Sequence, residues 1–164
     1  MPNYEGHEDD FNLCINIWKS ITDRYGDKAS ANDFNMEERV VVLVVYVEGV
    51  IYRDGFEGLF ESELPGDPFY KLTLEAFEQI GCKEAKETLN EALKLFPNAE
   101  PPKGDEERMN QYSTYSENVR NPINSKFWKS HESIYKCLAN YIRERIKLFA
   151  SYEHVPITTV TMGT

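Results

Sequence analysis

Apolar residues recur along most of this chain at intervals of three and four positions, which is the spacing of one face of an α-helix. The first stripe consists of Phe11, Ile15, Trp18, Ile21 and Tyr25. An acid at Asp9 or Asp10 is suited to cap the start of this helix, and Gly26 is suited to end it. The pattern therefore predicts an N-terminal helix that stops at Gly26.

The second stretch is ambiguous, because the run from Val40 to Val47 is entirely apolar and mostly β-branched. Such a run also fits a buried strand. Two features favour a helix: Asn35 and Glu38 have the spacing of a capping box, and the apolar residues continue through Ile51, which is long for one strand. We therefore predict a helix over about 36–53 that is apolar on all sides and lies at the centre of the fold.

The remaining elements are also helical in pattern. Asp67 and Pro68 are expected to open a helix that ends at Gly81, and the next helix ends at Pro97. Residues 97–106 read as a loop, 107–117 as a weak helix, and a last long helix starts near Ser125. The fold class is thus all-α, a single-domain bundle of about six to seven helices over residues 1–154. Residues 155–164 form a tail, either disordered or an added strand.

Charge narrows the choice of partners. The chain of 164 residues has a net charge of −10, and residues 48–78 carry eight acids against two bases. Such a protein should repel nucleic acid and anionic membranes and should attract basic proteins. The same charge also fits an ordinary solubilising surface.

The cysteines and the N-terminus indicate the cellular compartment of the protein. Cys14, Cys82 and Cys137 are far apart and lie among apolar neighbours, so we expect reduced thiols in the core. The N-terminus has no basic and apolar leader, and no apolar run is long enough for a membrane span. The sequence therefore predicts a cytoplasmic protein.

Motifs that carry catalytic or metal chemistry are missing from the sequence. The histidines, His7, His131 and His154, are widely spaced, and no zinc helix, phosphate-binding loop or nucleophile elbow is present. We therefore expect no enzyme active site, no metal site and no cofactor.

Two turn motifs carry a resemblance to a known family. Tyr52-Arg53-Asp54-Gly55-Phe56 precedes Leu59-Phe60, and Ala76-Phe77-Glu78-Gln79-Ile80-Gly81-Cys82 leads into an Ala/Leu-striped helix that ends in Phe96. Over about residues 44–97, and loosely over 127–143, the chain resembles a bacterial family of acidic helical domains whose best-known member is a DNA-mimic protein. The resemblance implies a helical fold, with Gly55, Phe56 and Gly81 as structural turn residues. Asp54 departs from the family pattern, since a glycine is usual there.

The leading hypothesis is an acidic protein-interaction module, in its sharper form a DNA mimic that binds a basic DNA-binding protein. Carboxylates one helical turn apart lie ~5–6 Å from each other, and two adjacent helices approach the charge spacing of DNA. The candidate surface consists of Glu48, Asp54, Glu57, Glu61, Glu63 and Asp67.

Other functions remain open at this point. One alternative is an immunity or antitoxin-like inhibitor of a toxin domain, and another is a small-molecule-binding or enzymatic helical domain. In the leading hypothesis the partner is a basic protein, such as a transcription factor or a toxin. We expect no direct binding of nucleic acid and no membrane association, and the abundant apolar residues leave room for a homodimer.

Overall fold

The computed structural model describes the chain from residue 4 to residue 152, with side chains from residue 8. Within this range it contains eight α-helices, two short 3₁₀ turns and no strand. The helices are α1 (Tyr4–Tyr25), α2 (Met36–Glu61), α3 (Lys71–Gln79), α4 (Lys83–Leu93), α5 (Asp105–Tyr112), α6 (Glu117–Lys129), α7 (His131–Glu144) and α8 (Ile146–Phe149). The predicted all-α fold is confirmed. The predicted domain end at residue 154 and the tail over 155–164 lie outside the described residues.

Helix α2 is the centre of the fold, as predicted. It packs against α1, α3, α5, α6 and α7, and most of its side chains from Val40 to Phe60 are buried. Its start is the predicted capping box: Asn35 Oδ1 accepts from the Glu38 amide at 2.9 Å, and the Glu38 carboxylate accepts from the Asn35 amide at 3.2 Å. These two bonds satisfy amides that the first helical turn leaves without partners, and together with the packing of α2 on five other helices they favour a helix over a strand for the β-branched run.

The first helix differs from the prediction at its start and in its buried face. It is already helical at Tyr4, so neither Asp9 nor Asp10 caps it. Phe11 is 40% exposed, because the buried face of α1 consists instead of Leu13, Cys14, Ile17 and Ile21, which are at most 5% exposed. This face packs against α7 and α2.

The C-terminal part of the fold is more divided than predicted. The expected long helix from Ser125 is instead α6, which starts at Glu117, followed by α7 and α8. The division falls at Ser130, which is buried and whose amide donates to the Phe127 carbonyl at 2.9 Å. A bond to a residue three positions back tightens the last turn of α6 and redirects the chain into α7.

The three cysteines carry free thiols. Cys14 and Cys82 are buried, as expected, while Cys137 is partly exposed. Burial raises the pKa of the Cys14 thiol and of the Cys82 thiol. Between residues 4 and 152, no helix combines the length and the apolar character that a membrane crossing requires.

Candidate interaction surface

Helix α2 changes direction at Gly55, which has φ +70° and ψ −172°. A positive φ favours glycine, so the prediction of a structural turn at this residue is confirmed. Residues 56–61 form a second helical segment, and Phe56 anchors it in the core with its ring edge-on to Phe127 at 5.5 Å. Gly81 also has positive φ, +77°, and ends α3 as predicted.

Helix α6 holds the break at Gly55 from outside. The amide of Phe56 donates to Asn124 Oδ1 at 2.9 Å, and the Trp128 indole donates to the Ile51 carbonyl at 2.9 Å. Asn124 and Trp128 stand four residues apart and therefore share a face of α6. Because one caps the segment after the break and the other binds the turn before it, α6 fixes the direction of residues 56–61.

The second segment of α2 presents two of the predicted acidic residues to solvent. Glu57 and Glu61 are both exposed and stand one helical turn apart, a spacing of ~5–6 Å between Cβ atoms. Glu63 is exposed in the loop that follows. Three of the six predicted carboxylates therefore follow one another along a continuous stretch of backbone.

Arg108 of α5 joins this stretch to another acidic one. Arg108 is 3% exposed, and its guanidinium donates to four backbone carbonyls: Phe60 at 2.7 Å, Ser62 at 2.9 Å, Pro102 at 3.0 Å and Lys103 at 2.7 Å. Hydrogen bonds from a charged donor are the strong ones, and a buried arginine needs partners for its donors. The side chain thus clamps the end of α2 against the start of α5.

Helix α5 packs against the second segment of α2. Arg108 binds at Phe60 and Ser62, while Tyr112, one turn later, packs edge-on against Phe60 at 5.1 Å. The first turn of α5 is acidic and exposed, and its negative charges suit the positive end of the helix dipole. We define the acidic face as the exposed carboxylates of Glu57, Glu61, Glu63, Asp105, Glu106 and Glu107.

The α5 acids were not among the residues predicted from sequence. Asp105 and Glu106 lie in the segment predicted to be a loop, and Glu107 lies at the start of the weak helix. Three consecutive acids after Gly104 are a typical helix first turn, and that signal was present in the sequence.

Cations neutralise part of the predicted surface. Arg120 of α6 lies 3.7 Å from the Glu57 carboxylate, and Arg53 lies 2.6 Å from the carboxylate of Asp54, its exposed neighbour in the chain. Among the described residues, Glu61, Glu63 and the three α5 acids form no ion pair. Five of the six carboxylates of the acidic face therefore have no cationic partner within the described part of the chain.

Glu48 and Asp67 do not belong to an exposed surface, so that part of the prediction is wrong. Asp67 is 3% exposed and accepts from the amides of Leu72 and Thr73, at 2.9 and 2.8 Å, and from the Thr73 hydroxyl at 2.7 Å. It caps the N-terminus of α3, which is the other role that the sequence suggested for it. The helix starts at Lys71 rather than at Pro68.

Glu48 is 2% exposed and sits in a polar cluster between α2 and α7. Its carboxylate binds His131 Nδ1 and accepts from the Tyr135 hydroxyl at 2.8 Å. Burial and the neighbouring Glu48 raise the pKa of Tyr135, and the ring of Tyr52 stacks on His131 at 4.2 Å. Sequence reasoning missed this cluster because its members lie 83 and 87 residues from Glu48.

The described residues contain no group of three or more side chains arranged to hold a metal ion. They do bring together an all-helical scaffold, a glycine break fixed by α6 and, near the end of α2, the group of exposed carboxylates defined above as the acidic face. These features define a class of protein, an acidic helical domain with a carboxylate surface.

Comparison with known families identifies the group more closely. The family model of DMP19-like proteins matches residues 32–145, well over half of the chain, so the chain belongs to this family. The match includes both segments on which the resemblance to DNA-mimic proteins was based. No curated protein and no solved structure matches the chain.

Proposed function

We propose that this protein is a DNA mimic that occupies the DNA-binding surface of a basic protein. The acidic face supports this proposal most directly. Glu57 and Glu61 stand one turn apart on α2, and the carboxylates of the α5 first turn are held beside the same end of α2 by Arg108. Two neighbouring helical segments that each present exposed carboxylates would approach the density of phosphates along a duplex.

Membership of the DMP19-like family supports the same function. The partner is a protein whose own DNA-binding site is rich in lysine and arginine, because those side chains exchange phosphate contacts for carboxylate contacts. Binding should therefore weaken steeply as salt is raised. Pairing of two copies of the chain, also suggested by the sequence, stays a prediction.

The immobilised protein is incubated with bacterial lysate, and the bound proteins are eluted along a salt gradient. A gel-shift assay then measures whether the acidic protein competes with DNA for the eluted partner. The test variant combines Glu57→Gln, Glu61→Gln and Glu106→Gln. The matched control combines Glu75→Gln, Glu84→Gln and Glu87→Gln, which remove the same charge from exposed positions on α3 and α4. We expect the test variant to lose the partner at much lower salt and to stop competing with DNA, and the control to behave as the unaltered protein.

Equal loss in the two variants would mean that total charge, and not this face, governs binding, and the proposal would be wrong. A captured basic protein that does not bind DNA would also contradict mimicry. That outcome favours the inhibitor of a toxin domain.

A further inference from the structure

An apolar groove of about 440 Å³ lies between α1, α2 and the loop that follows α2. This volume falls within the range of ligand-binding clefts, roughly 300–1,000 Å³. Its apolar lining includes Trp18, Phe34, Val42, Tyr46, Leu64 and Pro65. Four of these, Trp18, Val42, Tyr46 and Leu64, remain partly exposed, although they also pack against the core.

Between Val40 and Ile51, the groove follows the side of α2 that its neighbours leave open. Val42 and Tyr46 stand four residues apart, and the stripe continues to Gly49, which is exposed. A Cβ at Gly49 would meet nothing within 4 Å, so another chain has room to approach the helix backbone there. Elsewhere between Val40 and Ile51 the side chains of α2 are buried.

Charge complementarity indicates what fits this groove. Its only charged lining residues are Asp27 and Glu63; both are exposed, and neither forms an ion pair within residues 8–152. No lysine or arginine lines it. Glu63 belongs also to the acidic face, so the groove and the face are continuous. An apolar floor with a negative rim suits a ligand that is apolar at its centre and cationic at its ends.

We propose that the groove takes an apolar side chain from a basic, helical segment of the partner protein, while lysines or arginines on either side of that side chain reach Asp27 and Glu63. The inference rests on the proposed function and adds an anchor to it. Carboxylates alone attract any basic protein, and this attraction is screened by salt. A buried apolar anchor adds affinity that salt does not screen, and it selects partners that carry such a side chain.

The test uses two synthetic helical peptides of equal length and charge. One alternates leucine and lysine at helical spacing, and in the other every leucine is alanine, which keeps helix propensity and charge. Dissociation constants are measured at low and high salt by anisotropy of the labelled peptides. We expect the leucine peptide to bind about tenfold more tightly or better, because burial of one leucine contributes that much, and to retain this advantage at high salt.

Two pairs of variants locate the site. Val42→Trp fills the groove, and Val119→Trp, at an exposed position on α6, is its control. Glu63→Lys reverses the rim charge, and Glu75→Lys makes the same reversal on α3. Val42→Trp should remove most of the leucine advantage, whereas Glu63→Lys should weaken both peptides at low salt, and the two controls should do neither. Far-UV circular dichroism checks the fold, and Leu64→Ser, which makes a second lining residue polar, decides the outcome if Val42→Trp does not fold.

Equal affinity of the two peptides overturns the inference, and so does a leucine advantage that survives both groove variants. If the two peptides bind equally and both weaken in the Glu57, Glu61 and Glu106 variant, the acidic face still functions and only the anchor is wrong. Binding of neither peptide contradicts both proposals. If Val42→Trp changes only a dimer into a monomer, the occupant is a second copy of the chain and the inference fails.

Discussion

Two groups of carboxylates in the same part of the chain have opposite environments. Glu38, Glu48 and Asp67 are at most 6% exposed, and their carboxylates accept hydrogen bonds from hydroxyl and amide groups, with the His131 ring as a further partner of Glu48. Glu57, Glu61 and Glu63 are exposed, and only Glu57 has a cationic partner. The buried group stabilises caps and helix contacts, whereas the exposed group is available to another molecule. Net charge alone therefore overstates the surface that an acidic protein offers to a partner.

The largest effect on stability is expected at Asp67. Asp67→Ala removes three hydrogen bonds to the start of α3 and leaves the fully buried Thr73 without its carboxylate partner. Bonds to charged groups contribute about 1.5–3 kcal/mol each and are not additive, so we expect the free energy of unfolding to fall by about 3 kcal/mol. Urea denaturation measures this change.

The control is Asp67→Asn, which keeps one acceptor oxygen and should cost clearly less. A loss of under about 0.5 kcal/mol is typical of a surface substitution. Such a small loss for Asp67→Ala would contradict the claim that the buried carboxylates stabilise the fold more than the exposed ones do.

Asp67 and Glu48 also show how far sequence reasoning reaches. The partners of Asp67 are five and six residues away, so the Asp-Pro pair before an apolar stripe correctly predicted a helix cap. The partners of Glu48 come from α7, and no local pattern indicates which side of an apolar helix such a residue faces. Capping boxes, glycine ends and helical stripes are local signals, and they predicted most helices. The division at Ser130 and the clamp by Arg108 depend on contacts between distant segments.

A second, smaller effect is expected at Glu48. Glu48→Gln keeps the size of the side chain but removes the charge that binds His131 and Tyr135, so we expect a loss of about 2 kcal/mol. Tyr135→Phe removes the donor instead. If the two groups act as a pair, the loss in the double variant is smaller than the sum of the two single losses. Strict additivity in urea denaturation would show that Glu48 and Tyr135 do not stabilise each other.

The third buried acid, Glu38, should make stability depend on pH. Burial alone would raise its pKa, but hydrogen bonds from Tyr152, Tyr25 and the Asn35 amide outweigh burial and hold the pKa below its ordinary value. The unfolded chain therefore takes up the proton first on acidification. The stability that Glu38 contributes is complete above about pH 4, the ordinary carboxyl pKa, and is lost as pH falls through the folded-state pKa.

Thermal unfolding at a series of acidic pH values tests this dependence. Glu38→Gln should lower the melting temperature near neutral pH and flatten its fall in acid. Tyr152→Phe keeps the carboxyl but removes one donor, so its curve should lie between the other two. Identical slopes in acid for all three proteins would contradict the role of these hydrogen bonds.

The smallest effect, and one of opposite sign, is expected for the exposed group. Glu57 and Glu61 are like charges one turn apart, which destabilises a helix by about 0.2–0.5 kcal/mol. Glu61→Gln should therefore raise the free energy of unfolding by about 0.3 kcal/mol at low salt, and the gain should vanish at high salt because exposed charges are screened. Glu57→Gln is the matched control, since it relieves the same repulsion but also removes the pair with Arg120 at 3.7 Å, and its net effect should be near zero. A loss of stability in Glu61→Gln would mean that this carboxylate has a structural role, and the acidic face would then lose one of its two aligned charges on α2.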